Sequence, residues 1–145
     1  MYILIFRKGA KREFRTAVEK ARRAGSAFFW EERNTWFSDT WDLAGVRQDL
    51  ADSEVRTRSG AFPFELAYRL VNMYSLAGDT VLDPFLGTGT TTLAAIAACR
   101  NSIGVEVNRK LRGLVRRRIT DARETLNERI RRRIEDHLRF VEERY

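Results

Sequence analysis

The sequence predicts an α/β fold in which a small, incomplete sheet is flanked by helices and followed by a long basic C-terminal helix. Three observations support this prediction. The apolar run Thr80–Asp83 leads into a glycine turn and then an alanine-rich segment, the order of strand, turn and helix. A second apolar run, Ser102–Val107, follows that helix. From residue 109 onward, apolar residues recur every three or four positions, as on one face of a helix.

The N-terminal third contains the first predicted elements. Tyr2–Phe6 is an apolar run that we expect to form a strand, and residues 10–23 follow as a basic helix that ends near Gly25. Residues 26–59 are the least regular part of the chain and contain all three tryptophans, which are Trp30, Trp36 and Trp41. These rings either pin a long loop to the domain or stack on nucleic acid. Packing is the favoured interpretation.

Three further helices are predicted. Pro63 opens a helix that stops before Gly78. Thr88, Thr90 or Thr91 caps the helix that runs to Arg100. The third helix runs from Asn108 nearly to the C-terminus with one apolar stripe, which favours a helical partner or self-association. A two-helix hairpin that folds back on itself is the alternative.

Charge and composition narrow the class of partner. The 145 residues carry a formal net charge of +7, from 27 Lys and Arg against 20 Asp and Glu. The bases concentrate in residues 1–30 and 109–145, which favours an acidic partner, and nucleic acid is the simplest one. Basic helices that are merely solvated are the alternative. The length suits a single domain.

Other function classes find little support. Cys99 is the single cysteine, so no disulfide forms within the chain, and we expect it to be a small buried residue. His137 is the single histidine and is expected at the surface, so no His/Cys metal cluster is predicted. No apolar run is long enough to span a membrane, and the residues beyond Phe6 are too polar for a signal peptide. A cytoplasmic location is expected.

The segment from Asp83 to Thr91 is the strongest candidate for a ligand site. A glycine turn that opens a helix presents backbone N–H groups and the positive helix end to a polar ligand. Thr90 follows Gly89 where a phosphate-binding P-loop needs lysine, so a P-loop is excluded. Thr92 replaces the third glycine of a dinucleotide fingerprint, so that match is partial. The second strand ends in Glu106, whose carboxylate can accept both hydroxyls of a ribose.

These residues resemble a known family. The run Asp-Pro-Phe-Leu-Gly-Thr-Gly-Thr-Thr at 83–91 is similar to the S-adenosylmethionine (SAM) loop of DNA methyltransferases that methylate cytosine N4 or adenine N6. Phe62-Pro63-Phe64-Glu65-Leu66 resembles the helix entry upstream of that loop, and residues 101–108 resemble the ribose-binding strand. The resemblance implies a partial Rossmann-like methyltransferase sheet and SAM as the cofactor. A histidine common before Phe-Pro in the family is absent here, where residues 58–61 read Arg-Ser-Gly-Ala.

The resemblance also implies site residues. Phe62 and Pro63 would line the methionine end of SAM, Asp83 and the loop backbone would hold its amino-acid part, and Glu106 would hold its ribose. The full set of implied cofactor-binding residues is Phe62, Pro63, Asp83, Pro84, Phe85, Gly87, Thr88, Gly89, Thr90, Glu106 and Asn108. No catalytic residue and no metal ligand is implied.

The family's catalytic loop, a polar residue followed by Pro-Pro and an aromatic residue, is missing, because the only prolines are Pro63 and Pro84. Residues 1–9 resemble the strand that closes the catalytic half in the permuted class in which that half comes first. We therefore expect residues 10–57 to be a basic helix and a variable region, 58–108 the SAM-binding half, and 109–145 a basic amphipathic helix. The chain would be part of a methyltransferase acting on DNA, inactive alone, with a second polypeptide or self-association completing it. A non-catalytic SAM- or DNA-binding remnant is the alternative, and a domain for another nucleotide is a weaker one.

Overall fold

The computed structural model describes residues 2–43 and 62–144. The predicted boundary between residues 57 and 58 lies outside the described residues, as do residues 44–57 of the variable region and residues 58–61. The described elements, in chain order, are the helices α1 (Ala17–Gly25), α2 (Trp30–Trp36) and α3 (Phe64–Tyr74), strand β1 (Thr80–Asp83), helix α4 (Thr90–Ala97), strand β2 (Asn101–Gly104) and helix α5 (Leu111–Glu142).

The sheet of the described residues is a parallel pair, β1 and β2. The register runs from Thr80 opposite Asn101 to Asp83 opposite Gly104. Helix α4 connects the two strands, so they form a β-α-β unit, the usual way to join parallel neighbours. The ladder extends one residue beyond β2, because the Val105 N–H donates to the Asp83 carbonyl at 2.8 Å. Both strands therefore end at the same edge of the sheet.

The strand predicted over Tyr2–Phe6 is not formed in this structure. Residues 2–7 are neither helix nor strand, and the side chains of Tyr2, Leu4 and Phe6 are exposed. A strand needs a neighbour to pair its N–H and C=O groups. Within residues 2–43 and 62–144, the available strands are β1 and β2, which pair with each other. The sheet there has two strands, where the sequence predicted three.

The core lies between α2, α3 and α4. Its buried members are Trp36, Ala67, Tyr68, Val71, Ala94 and Ala98. Ala94 is completely buried, and such small side chains let α4 pack close to its neighbours. Trp36 meets Tyr68 edge to face at 6.2 Å between ring centroids. The packing interpretation of the tryptophans is therefore confirmed for Trp36, whereas Trp30 is exposed.

Helix α1 begins seven residues later than the sequence predicted, because a capping box fixes its start. The Thr16 hydroxyl accepts from the Glu19 N–H, and the Glu19 carboxylate accepts from the Thr16 N–H at 2.9 Å. The two bonds satisfy N–H groups that have no partner within the helix. The helix then ends at Gly25, as predicted.

Asp79 anchors the N-terminal region to the start of β1. Its carboxylate accepts from Arg12 at 2.7 Å and from Arg22 at 2.8 Å. Arg22 also donates to the carbonyl of Ala77. Partial burial acts to raise the pKa of Asp79, but the hydrogen bonds from Arg12 and the Leu76 N–H, with the nearby arginine charges, lower it. The folded state therefore favours the ionised carboxylate.

Helix α4 does not end as the sequence suggested. The helix stops at Ala97, and Cys99 has a φ of 58°, in the left-handed region. That backbone conformation turns the Cys99 side chain outward, so the cysteine is exposed and the prediction of burial is wrong. Cysteine adopts this conformation here because the chain must reverse from α4 into β2 within a few residues.

Helix α5 is one continuous helix of 32 residues, which excludes the predicted hairpin alternative. At a rise of about 1.5 Å per residue it is roughly 48 Å long. Leu111 and Leu126 are buried along it, and Ile130 packs against the core cluster. Near its C-terminal end, Ile134 and Leu138 remain exposed. No helix of the described residues is long and apolar enough to cross a membrane.

The C-terminal part of α5 is attached to α2 by charged contacts. Arg133 donates two hydrogen bonds to Glu32, at 2.5 and 2.7 Å. His137 Nδ1 lies 2.8 Å from Glu31, and its ring stacks on Phe29 at 3.7 Å. The expected surface position of His137 is therefore corrected, because its side chain is mostly covered. Burial opposes the charge of Arg133, but the bond to Glu32 raises its pKa.

Candidate functional site

The candidate site is the loop between β1 and α4, at the edge where both strands end. Asp83 closes β1, and its Oδ1 accepts a hydrogen bond from the Phe85 N–H at 2.9 Å. The Leu86 N–H donates to the Val105 carbonyl at 2.9 Å. The loop is thereby tied both to its own strand and to the segment after β2. This edge of a parallel sheet is where α/β folds bind ligands.

Glu106 is drawn into the same loop. Its Oε2 accepts from the Gly87 N–H at 2.8 Å, and its Oε1 accepts from the Asn108 N–H at 2.7 Å. These two bonds fix the orientation of the carboxylate. A carboxylate has about four lone-pair positions, so each oxygen can still accept a second hydrogen bond. The geometry suits a ligand with two neighbouring hydroxyls.

The loop requires glycine at positions 87 and 89 for different structural reasons. Gly87 has a φ of 53° and Gly89 a φ of 85°, both in the left-handed region. A side chain at Gly89 would also meet Val115 Cγ1 on α5 at 3.2 Å. The space beside Gly87 is open, with a backbone oxygen 3.8 Å away as the nearest atom in reach. Gly89 thus lets α5 approach, whereas Gly87 leaves room for a ligand.

Helix α4 starts at the loop without a side-chain cap. Gly89 occupies the N-cap position and makes no side-chain hydrogen bond, so the predicted threonine cap is wrong. Thr88 and Thr90 are buried beside it. The first N–H groups of a helix have no partner within the helix and favour an anion there. A carboxylate of a ligand would suit this position.

Arg118 is a residue of this site that the sequence reasoning missed. Its Nη1 donates to the Thr88 carbonyl at 2.6 Å, which joins α5 to the loop. Burial lowers the pKa of its guanidinium, which remains charged at neutral pH. The sequence held a signal for it. Arg118 is four residues from both Leu114 and Ala122, on the apolar face of α5, unlike Arg116 and Arg117 beside it.

The structure joins only some of the predicted site residues. Hydrogen bonds connect Asp83 with Phe85, and Glu106 with both Gly87 and Asn108. Thr88, Gly89 and Thr90 belong to the same loop, whereas Phe62 and Pro63 contact other parts of the molecule. Phe62 packs against the core cluster, and Pro63 precedes α3 and lines a groove with Trp41 and Leu66. Pro84 and Phe85 are exposed.

Comparison with known proteins identifies the family. The sequence profile of the N6/N4 DNA methylases matches residues 1–115, most of the chain. This chain belongs to that DNA methylase family. It is 56% identical over 144 residues to the type II methyltransferase M.MthZI of Methanothermobacter thermautotrophicus, covering 99% of this chain and 41% of that protein. Over 118 residues it is 49% identical to M.MjaI of Methanocaldococcus jannaschii, covering 81% of this chain and 38% of that relative.

A solved structure supports the fold of this chain. The chain superimposes with a TM-score of 0.59 and 36% identity on TTHA0409, a DNA modification methylase of Thermus thermophilus that was crystallised with S-adenosyl-L-methionine. The match covers 80% of this chain and 40% of TTHA0409. The partial Rossmann-like fold is therefore confirmed. The chain spans about two fifths of the length of these relatives.

Proposed function

We propose that this methylase chain is the SAM-binding part of an enzyme that methylates an exocyclic amine of DNA, at cytosine N4 or adenine N6. One observation supports the proposal most directly. The loop after β1 and the acid after β2 meet through the 2.8 Å hydrogen bond from Gly87 to Glu106. This contact brings Gly87 and Glu106 together at the sheet edge, which supports neighbouring subsites for the amino-acid part and the ribose of SAM.

The chemistry of SAM fits the residues that are present. Its ribose has two neighbouring hydroxyls, which the free lone pairs of Glu106 can accept. Its amino-acid part carries an ammonium, which suits the Asp83 carboxylate, and a carboxylate, which suits the start of α4. By the family resemblance, the methionine end would lie toward Phe62 and Pro63. Pro84, Phe85, Thr88, Thr90 and Asn108 would complete the lining.

The role of these residues is to bind and orient. When bound, SAM supplies an electrophilic methyl group. The described residues fix the ribose and the amino-acid part, and so fix the direction in which that group points. The family orients the target amine with the loop that contains Pro-Pro. This chain has no adjacent prolines, so we propose that it transfers no methyl group alone.

A partner that completes the sheet is part of the proposal. Leu82 and Ile103 lie opposite each other in the register and are both exposed, at 63% and 56%. An apolar sheet face of this kind is normally covered. The catalytic half of the enzyme, which would act on DNA in the cytoplasm, is the proposed cover. Self-association through the exposed apolar residues of α5 is the second arrangement.

The lack of the Pro-Pro loop also favours a second candidate function. The chain would then be a remnant or accessory subunit that binds SAM or DNA without catalysis. The two proposals differ in one outcome, because only the first gains activity when a catalytic half is supplied.

Calorimetric titration with SAM tests the proposal. We expect saturable binding by the chain and at least a tenfold loss in Glu106→Gln and in Asp83→Ala. Glu124→Gln, which changes an exposed carboxylate on α5, is the matched control and should bind as the parent does. A folded parent chain that ignores SAM would refute cofactor binding by this part alone.

Reconstitution then separates the two candidate functions. The chain is mixed with the catalytic portion of a relative such as M.MthZI and a DNA duplex. Nucleoside mass spectrometry reports any N4-methylcytosine or N6-methyladenine formed. Methylation that needs both parts supports the enzyme, and SAM binding without methylation supports the accessory role.

A further inference from the structure

We propose that three arginines on the outer face of α5 form a surface for the phosphate backbone of duplex DNA. These residues, Arg112, Arg116 and Arg123, are called the arginine stripe below. The inference rests on the proposed function, because it assigns the DNA contact to one face of the molecule. Arg118 and Arg133 on the same helix are excluded, since they point into the protein, toward Thr88 and Glu32.

Helix geometry puts the arginine stripe on one line. The three positions are four and seven residues apart, and at about 100° per residue they fall within roughly 40° of one another. Their separation along the axis is about 16 Å at a rise of about 1.5 Å per residue. All three side chains are exposed. The stripe is long enough to meet several phosphates of one strand, which follow at about 3.4 Å along the duplex axis.

The arginine stripe lacks neutralising neighbours. None of the three has an Asp or Glu three or four residues away along the helix, where a helical ion pair forms. The ion pairs found between described residues include none of the three. Their guanidinium groups are therefore available for another anion.

Three other exposed arginines of α5 have a different setting. Arg131, Arg132 and Arg139 each have at least two carboxylates at those spacings. Arg132 pairs with Glu128 at 3.2 Å, and Arg139 lies 3.9 Å from Asp136. The positive potential of α5 is thus concentrated on its N-terminal half.

The arginine stripe spans the turns of α5 that contact the candidate site. Between Arg112 and Arg123 along the helix are Val115, which contacts Gly89, and Arg118, which holds the Thr88 carbonyl. Around the helix axis Val115 is about 60–100° and Arg118 about 120–160° from the three arginines, so these contacts are on a different side of α5. A duplex bound along the stripe would lie along the same turns of α5 that contact the cofactor loop, on another side of the helix. Each guanidinium group can donate to two phosphate oxygens at once. Three exposed arginines on one line therefore suit the regular array of phosphates along a DNA strand.

Fluorescence anisotropy with a labelled duplex between 50 and 200 mM salt tests the arginine stripe. The triple variant R112Q/R116Q/R123Q is compared with R131Q/R132Q/R139Q, which removes the same charge from the acid-flanked face. Each lost phosphate contact should reduce the slope of log K against log salt by about 0.9. We expect a slope reduced by about 2 to 3 and at least a tenfold weaker complex for the stripe variant, with less than half of that slope change for the control variant.

Three results would overturn the arginine stripe. The first is an equal loss of DNA affinity in the two triple variants. The second is no DNA binding by the parent chain. The third is displacement of the bound DNA by polyglutamate at equal charge concentration. Circular dichroism confirms that both variants keep their helices.

SAM titration of the same proteins keeps the two proposals apart. Loss of DNA binding in the stripe variant alone, in a chain that ignores SAM, would refute the proposed function and leave the stripe. SAM binding with equal DNA losses in both variants would refute the stripe alone.

Discussion

Arg118 on α5 holds the carbonyl oxygen of Thr88, 30 residues earlier in the chain, with a 2.6 Å hydrogen bond from Nη1. Thr88 lies between Gly87 and Gly89, the two loop glycines with positive φ, so this bond restrains the backbone of the loop at its turn. A hydrogen bond from a charged donor contributes about 1.5–3 kcal/mol. Arg118 is therefore a positioning residue for the candidate cofactor site.

Arg118→Met should weaken SAM binding roughly tenfold, since about 1.4 kcal/mol corresponds to that factor. The methionine keeps much of the packing and loses the donor. Calorimetry gives the affinity, and the control is Arg117→Met, which is exposed and beside it. A lower Tm with unchanged affinity would show that Arg118 serves stability and not the loop.

Gly89→Ala should destabilise the fold by about 1–3 kcal/mol, because alanine is strained at a positive φ and meets Val115. Chemical denaturation measures the free energy of unfolding. Adding Val115→Ala should recover the steric part of the loss and leave the backbone part. Gly113→Ala is the control, since its position in α5 has no positive φ and open space. It should be neutral or stabilising by up to about 1 kcal/mol.

Asp79→Asn should reduce the acid sensitivity of the fold. The pKa of Asp79 is lower in the folded state than in the unfolded chain, so its contribution is fully present above about pH 5. It is lost as the pH falls through the ordinary range near 4 toward the folded value. Unfolding curves at pH 6 and pH 3 measure the effect, and the gap between parent and variant should narrow at the lower pH. Asp39→Asn, at an exposed position, should show no such narrowing.

Arg133→Met should destabilise the fold by about 2–3 kcal/mol, because the mostly covered Glu32 carboxylate loses its paired cation and keeps the hydrogen bond from the Phe29 N–H. The double variant E32Q/R133M should recover part of the loss, since the uncompensated charge is also removed. Thermal unfolding of the parent, both single variants and the double variant gives the coupling energy. Strictly additive losses would contradict a direct interaction.

The sequence was informative where the structure is local. The run from Thr80 to Thr90 contains its own strand, turn and helix start, so the β-α-β unit and the glycine turn were predictable. The single long helix was predictable from its apolar periodicity. The sequence predicted Glu106 at the end of the second strand, but β2 ends at Gly104 and Glu106 lies two residues beyond it.

The features that the sequence did not predict depend on contacts between residues far apart in the chain. Whether Tyr2–Phe6 becomes a strand depends on a neighbouring strand, which no local pattern reveals. His137 is partly covered because it contacts Glu31 and Phe29, which are more than 100 residues away in the chain. Arg118 looked like one member of a basic triplet, and although its spacing puts it on the apolar face of α5, only the fold shows that it reaches the Thr88 carbonyl. Local spacing gives the face of a helix but not what covers it.

The contacts between α2 and α5 connect residues 101 positions apart, as in the pair of Glu32 and Arg133. Closing so large a loop costs entropy that nearby contacts do not. The β-α-β unit can form from neighbouring residues alone, and so we expect it to fold early. We expect the last third of α5 to pack on α2 late in folding and to separate from it first during unfolding. Amide exchange should therefore be faster near residue 137 than in α4, even though both are helical.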